Sequence, residues 1–161
     1  MRTTVAVSIS LAFVAGLAVS PLAQQLLPHA HAQTPAAAPA TAPALTPTII
    51  DVAALKDADL NATPYADLRS KGFVATPNAT LAVQIGNVAK HIHNTADEIQ
   101  YVVEGTGTAW LGGEKREIRP GMLIVIPRGT PHSGAEATSG RFKMIAIKVP
   151  PQDPKDTIFV N

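Results

Sequence analysis

The chain has no cysteine among its 161 residues. Disulfides, thiolate metal sites and thiol nucleophiles are therefore excluded. It also lacks an excess of either charge, with 13 Lys+Arg against 12 Asp+Glu. That balance gives neither nucleic acid nor an anionic membrane surface an electrostatic handle, so no nucleic-acid partner is expected. Charge is nearly missing from the first fifty residues, where Arg2 stands alone before Asp51. The apolar run behind it, from Val5 to Val19, is short of the roughly 20 residues that a membrane-spanning helix needs.

What stands there instead has the order of a secretory signal. Arg2 is followed by the apolar stretch VAVSISLAFVAGLAV, then by PLAQQLLPHAHAQ, in which Ala30-His31-Ala32 has the small-x-small form of a cleavage site. Residues 1–32 are read as a signal peptide cleaved after Ala32, which places the mature chain in the periplasm or outside the cell. Extended to Leu27, the apolar segment would instead remain as a membrane anchor, the one circumstance in which this chain meets a membrane. Cleavage removes His29 and His31, two of the five histidines. Residues 33–48, QTPAAAPATAPALTPT, alternate Pro and Ala with neither charge nor large apolar groups beyond one leucine. They cannot form a core and read as a semi-extended linker, either a tether or a slack leader.

From Ile49 to Asn161 the punctuation is that of an all-β domain. Short runs rich in β-branched residues are separated by Gly, Pro and Asn. The expected strands are 72–76, 80–87, 90–93, 98–105, 106–111, 115–119, 122–127 and 141–149. HNTAD, LGGE, RPGM, RGTPHSG and ATSG are the expected turns between them. Only 52–60 has the makings of a helical turn or two, and 63–69 is ambiguous. So many strands in one short domain point to a barrel or a double-sheet sandwich. MLIVIP and RFKMIAIKV are nearly continuous apolar runs, more than a strand with one wet face requires. A second sheet or a second subunit is expected on their outer face, and a homodimer is the reading preferred.

Chemistry concentrates in the three remaining histidines. Residues 91–98 read HIHNTADE. On a strand, His91 and His93 face the same side, with Cα atoms roughly 6.5–7 Å apart. Asn94 to Asp97 are turn residues, and Glu98 opens the next strand so that its carboxylate reaches back toward both rings. Two imidazoles and one carboxylate facing a common point suit a divalent first-row metal. The third histidine, His132, follows Pro127, Gly129 and Pro131 in GMLIVIPRGTPHSG, where a rigid turn would present a fourth ligand.

These two segments resemble the two motifs of the cupin superfamily. Gly86…His91-x-His93-x4-Glu98-x6-Gly105 is similar to the first, and Gly121-x5-Pro127-x-Gly129-x2-His132 to the second. The resemblance implies a single jelly-roll β-barrel with the metal inside it, held by His91, His93, Glu98 and His132. It also implies enzymes of the dioxygenase, decarboxylase and isomerase classes acting on small organic molecules. Two positions depart from the pattern. Four residues rather than five separate Gly86 from His91, and Glu136 stands where the second motif commonly ends in Asn. Three imidazoles and one carboxylate accept Mn, Fe, Ni, Cu, Zn or Co, so the metal's identity stays open.

By alternation with Glu98, Gln100 should also face the pocket, and Gln84 interrupts an apolar strand in the same way. Both are candidate pocket or second-sphere groups. Arg128, in the loop beside His132, is a candidate for holding a substrate carboxylate. Trp110 and Phe142 read as core before they read as a substrate platform. No second acid, base or oxyanion group is legible. A metal-dependent enzyme and a non-catalytic periplasmic protein that binds metal or a small ligand therefore both remain open. An open metal position with inward polar groups would favour the first.

Overall fold

The computed structural model describes residues 44–161. The expected signal peptide, its cleavage site and the first part of the linker lie outside the described residues. Residues 44–48, the end of the linker, are exposed and irregular. Among the described residues the only helical element is one 3-10 turn, Asp57–Asp59, inside the segment expected to hold a helical turn or two.

Nine strands follow among the described residues. They are β1 (Asn61–Ala62), β2 (Leu68–Ala75), β3 (Thr80–Gly86), β4 (His91–Ile92) and β5 (Asp97–Leu111). The rest are β6 (Glu114–Ile118), β7 (Leu123–Ile126), β8 (His132–Val149) and β9 (Ile158–Phe159). The domain is all-β, as its punctuation implied. The pairings are antiparallel in the order β1-β2-β3-β8-β4-β9, while β5 pairs with β8, β7 and β6. The sheet curls into a half-barrel around a cavity.

The two longest strands correct the sequence reading. Residues 98–105 and 106–111 are one strand, and ATSG lies inside β8 where a turn was expected. β5 and β8 pair from Asp97↔Val149 to Leu111↔His132, with register shifts around Val102–Trp110. Gly105 and Gly140, with φ of 88° and 66°, absorb those shifts. A Cβ at Gly105 would meet Arg141 O and Phe142 Cα at 2.8 Å. The glycines thus bend two paired strands at bulges without breaking them.

Alternation sorts the side chains onto two faces. Glu98, Gln100 and Val102 of β5 point inward, as do Ile126 of β7 and Ala146 of β8. On the outside of β3, Val83 and Ile85 are buried beneath Val52, Leu55 and Leu60 of the segment preceding β1. Burying each such side chain contributes on the order of 1.5–3 kcal/mol. Lys143 lies at the edge of this cover, 2% exposed, and its Nζ donates to Glu104 Oε1 at 2.6 Å and Ala53 O at 3.0 Å.

The outer face of β7 and β5 has no such cover among the described residues. Leu123 is 64% and Val125 60% exposed, and Tyr101 and Val149 are exposed beside them. Among the described residues MLIVIP is therefore buried on one face only, where its composition suggested both. No helix among the described residues is long and apolar enough to cross a membrane.

The buried Lys143 ammonium makes the packing of the N-terminal segment testable. Glu104→Ala removes its carboxylate and leaves a buried charge short of a partner, costing about 1–3 kcal/mol. Lys143→Met, which removes the charge itself, costs less. The order of the two melting temperatures checks this, and Glu104→Ala melting above Lys143→Met would contradict it.

Candidate metal centre

The bend after Gly86 decides where the first histidine falls. Gly86 has φ of 112°, and a Cβ there would lie 1.7 Å from Asp67 O, so only glycine fits. Beyond it, Asn87 Oδ1 accepts from Ala135 N at 2.9 Å, and Val88 O accepts from Gly134 N at 2.9 Å. These bonds tie the approach to β4 against the start of β8. They bring His91 directly opposite His132 in the β4–β8 pairing despite the shortened spacing. Gly129 N donates to His93 O at 2.6 Å, so the loop before His132 is bonded to the other motif as well.

His91, His93, Glu98 and His132 are all buried, at 5%, 2%, 2% and 1% exposure. The three imidazoles form a triangle, with ring centres 4.8, 4.3 and 5.0 Å apart. One nitrogen from each lies within 4.8 Å of the other two. The chain thus brings together all four residues singled out as ligands.

Each ring is oriented by a backbone carbonyl. Nδ1 of His91 meets Ala89 O at 2.8 Å, Nδ1 of His132 meets Thr130 O at 2.9 Å, and Nδ1 of His93 meets Asp156 O at 2.5 Å. A carbonyl only accepts, so these partners assign the proton to Nδ1 and leave each Nε2 with a lone pair. Those lone pairs face inward toward Glu98, whose Oε2 lies 3.1 Å from His93 Nε2 and 3.3 Å from His132 Nε2. Lone pairs opposed to a carboxylate repel. Nε2 of His132 is fully buried and has no hydrogen-bond partner among the described residues. A buried donor set of three imidazole nitrogens and a carboxylate oxygen, one nitrogen orphaned, fits a divalent metal ion.

The turn between His93 and Glu98 is held from outside. Asp156 is buried, and its carboxylate accepts from Asn94 N at 2.8 Å, Thr95 N at 2.9 Å and Thr95 Oγ1 at 2.5 Å. Burial opposes its ionisation, but these donors at Thr95 and Asn94 bring its pKa down to about 2. Gln152 Nε2 donates to Asp156 O and Thr157 Oγ1, at 3.1 and 2.9 Å, beside the His93 ring. One acidic residue of the C-terminal tail thus fixes the His93 ring through its carbonyl and the turn through its side chain.

The three residues expected at the pocket have different standings. Gln100 donates to Glu98 Oε1 at 2.9 Å, the second-sphere contact its alternation suggested. Gln84 lines the cavity, half-buried. Arg128 does not line it. Its guanidinium is exposed and grips Asp97 at 2.8 and 3.1 Å, while its backbone N–H donates to the same carboxylate. This pairing holds the Asp97 carboxyl at about 2 and clamps the start of β5. Phe142 is buried in the core, whereas Trp110 is half-buried at the cavity wall under the Lys90 ammonium, 4.2 Å from its ring centre. Glu136 is exposed and paired with Lys115.

Sequence reasoning missed Lys148. Its Nζ lies 2.8 Å from His93 Nε2 and 3.0 Å from Glu98 Oε2. Alternation along β8 could have found it, since Ala146 and Lys148 share the inward face. What placed it at the metal site was the Glu98↔Lys148 register between β5 and β8. Asp156 and Gln152 left no such signal, because they come from an irregular tail.

The site lies at the floor of a cavity of about 420 Å³, whose walls include Met122, Ile124, Met144, Trp110 and Gln84. Burial, then the neighbouring His132, lowers the His91 pKa to about 4. Burial alone would raise that of Glu98, yet the Lys148 ammonium, 3.0 Å from Oε2, holds it below the usual carboxylate range. At neutral pH His91 is therefore uncharged and Glu98 ionised, the forms that bind metal.

The sign of the His91 shift sets a pH dependence for the metal-stripped protein. The unfolded chain takes up a proton near pH 6.5 that folded His91 refuses down to about 4. Stability should fall as pH drops through that window. Melting curves of chelator-treated protein between pH 7 and 4 test this, and His91→Gln should flatten the decline.

Residues 80–148 match the family described as Cupin domain. An uncharacterized protein of Methanocaldococcus jannaschii is 37% identical over 67 residues, 42% of this chain and 54% of that protein. The chain thus spans about half the length of that curated relative. Among solved structures, KdgF from Halomonas sp. is 28% identical with a TM-score of 0.51, over 57% of this chain and 86% of that one. A protein with a double-stranded β-helix domain from Klebsiella pneumoniae superposes with a TM-score of 0.53 at 16% identity, over 65% and 91% of the two chains. Ectoine synthase from P. lautus gives 0.51 at 22%, over 64% and 81%. The last two likenesses concern the fold alone. The stretch that matches the Cupin domain family, residues 80–148, carries His91, His93, Glu98 and His132.

Proposed function

We propose that the chain is an exported, metal-dependent cupin enzyme acting on a small organic molecule. His91, His93, Glu98 and His132 would hold one divalent transition metal. The observation that carries this reading is the cavity of about 420 Å³ above three inward lone pairs, one of them on an orphaned nitrogen. A protein that only stored metal would have no use for such a chamber beside its ligands. The metal would supply Lewis acidity toward a carbonyl or carboxylate, or a place for oxygen to bind. The chain's own groups orient and exclude. Ala89, Thr130 and Asp156 hold the three rings, and Gln100 holds Glu98, which is either a permanent ligand or a base that detaches. The apolar walls keep bulk water from the floor.

One observation favours a second reading, a non-catalytic periplasmic binding protein. Lys148 offers Glu98 a cation without any metal, as a structural polar cluster would. Metal content of the exported form tests the metal centre on which the first reading depends. One equivalent of metal is expected in the wild type, and His93→Ala should lose most of it. Equal metal in both would refute the site. For Asp156→Asn, which loosens the support of His93, about a 10–100-fold weaker metal affinity is expected from titration with a competing chelator.

Export rests on the leader at residues 1–32, and the homodimer on the uncovered face of β7 and β5. Leu123 pairs with Tyr101 and Val125 with Ile99 there, an apolar surface flanked by the Asp97–Arg128 pair that a two-fold copy of itself could match. Leu123→Lys with Val125→Lys should turn a dimer into a monomer in sedimentation. A wild type already monomeric at micromolar concentration would reject the dimer.

A further inference from the structure

We infer that Lys148 is the anion-binding group of the cavity, and that its ligands are small organic anions of the carboxylate class. This rests on the metal reading above. The starting point is charge. A divalent metal and the Lys148 ammonium bring three positive charges to the cavity floor, where Glu98 supplies one negative charge. The imidazoles are neutral, since each Nδ1–H is given to a carbonyl and each Nε2 to the metal. The Asp156 carboxylate keeps its charge but is turned to Asn94 and Thr95 and does not line the cavity. Arg116 and Glu117 also line the cavity, but both are exposed, and Arg116 is paired with Glu114 at 2.8 Å. Two positive charges are left unmatched among mostly apolar walls. Charge is retained in such surroundings only with a partner of opposite sign.

Geometry gives that partner its place. The Lys148 side chain is 13% exposed, and its Nζ contacts Glu98 Oε2 and His93 Nε2. A metal bound to both atoms takes away the ammonium's two acceptors and repels it. The lysine stem is flexible and can carry the ammonium a few ångströms into the cavity. A carboxylate there would place one oxygen toward the metal and the other toward Nζ. Gln84 lines the same cavity, whereas the amide of Gln100 is taken up by Glu98 and that of Gln152 by Asp156 and Thr157. A neutral molecule would leave the two excess positive charges unmatched, so the site discriminates by charge before shape.

The test uses the metal-loaded protein and three carboxylates, acetate, pyruvate and succinate, each against its neutral amide, by calorimetry. Metal content is measured in parallel. The wild type should bind at least one carboxylate about ten- to a hundredfold more tightly than its amide. Lys148→Met should lose most of that preference while keeping its metal, and should take up metal more tightly because no ammonium competes for Glu98 and His93. Lys148→Arg, which keeps the charge, should retain the preference and guards against a packing effect. Full metal in Lys148→Met with an unchanged preference overturns the anion site alone. So does a metal-loaded wild type that binds none of the carboxylates better than its amide. A wild type that takes no metal overturns the metal centre, and the anion site with it.

Discussion

Three backbone carbonyls set the character of this molecule's interior. Ala89, Thr130 and Asp156 each accept from an imidazole Nδ1–H, and in doing so turn three Nε2 lone pairs toward one carboxylate. That arrangement is electrostatically unfavourable unless a cation stands among the four groups. Lys148 supplies part of what is missing, reaching His93 and Glu98 and leaving the nitrogen of His132 unpartnered. The rest of the fold can be understood as what holds these opposed groups at close range: a β4–β8 pairing, a glycine bend at Gly86, and a tail residue pinning a turn.

The barrel's two long strands do this positioning because they bend instead of ending. β5 carries Glu98 and Gln100 at one end and reaches the start of β8, opposite His132, at the other. Bulges at its glycines let one continuous ladder serve both ends of the cavity. The outer face shows a division of labour. Residues 52–60 close the half over β3, while the half over β7 keeps its apolar side chains exposed.

Much of the site was legible beforehand because it is local. His91 and His93 share a face by the period of a strand, and the turn residues NTAD set Glu98 after them. The all-β class followed from the spacing of turn residues for the same reason. Where the reading of turns failed, at Gly105 and at ATSG, glycine served a bulge within a paired strand. Nothing short-range separates that from a reversal, since both need the same positive φ. Arg128 looked like a pocket residue from its place beside His132, yet the nearer carboxylate of Asp97 takes its guanidinium outside.

By itself the sequence determined the donor types, their grouping into two motifs, and the absence of any thiol. Those are properties of composition and of spacing within a few residues, which backbone geometry translates directly into shared faces. Only the tertiary structure decided that Lys148 reaches Glu98, that Asp156 supports His93 from across the tail, and that a cavity lies above them. Each of these depends on register between strands far apart in the chain or on an irregular segment docking. No periodicity encodes such contacts, because they arise when the whole sheet closes.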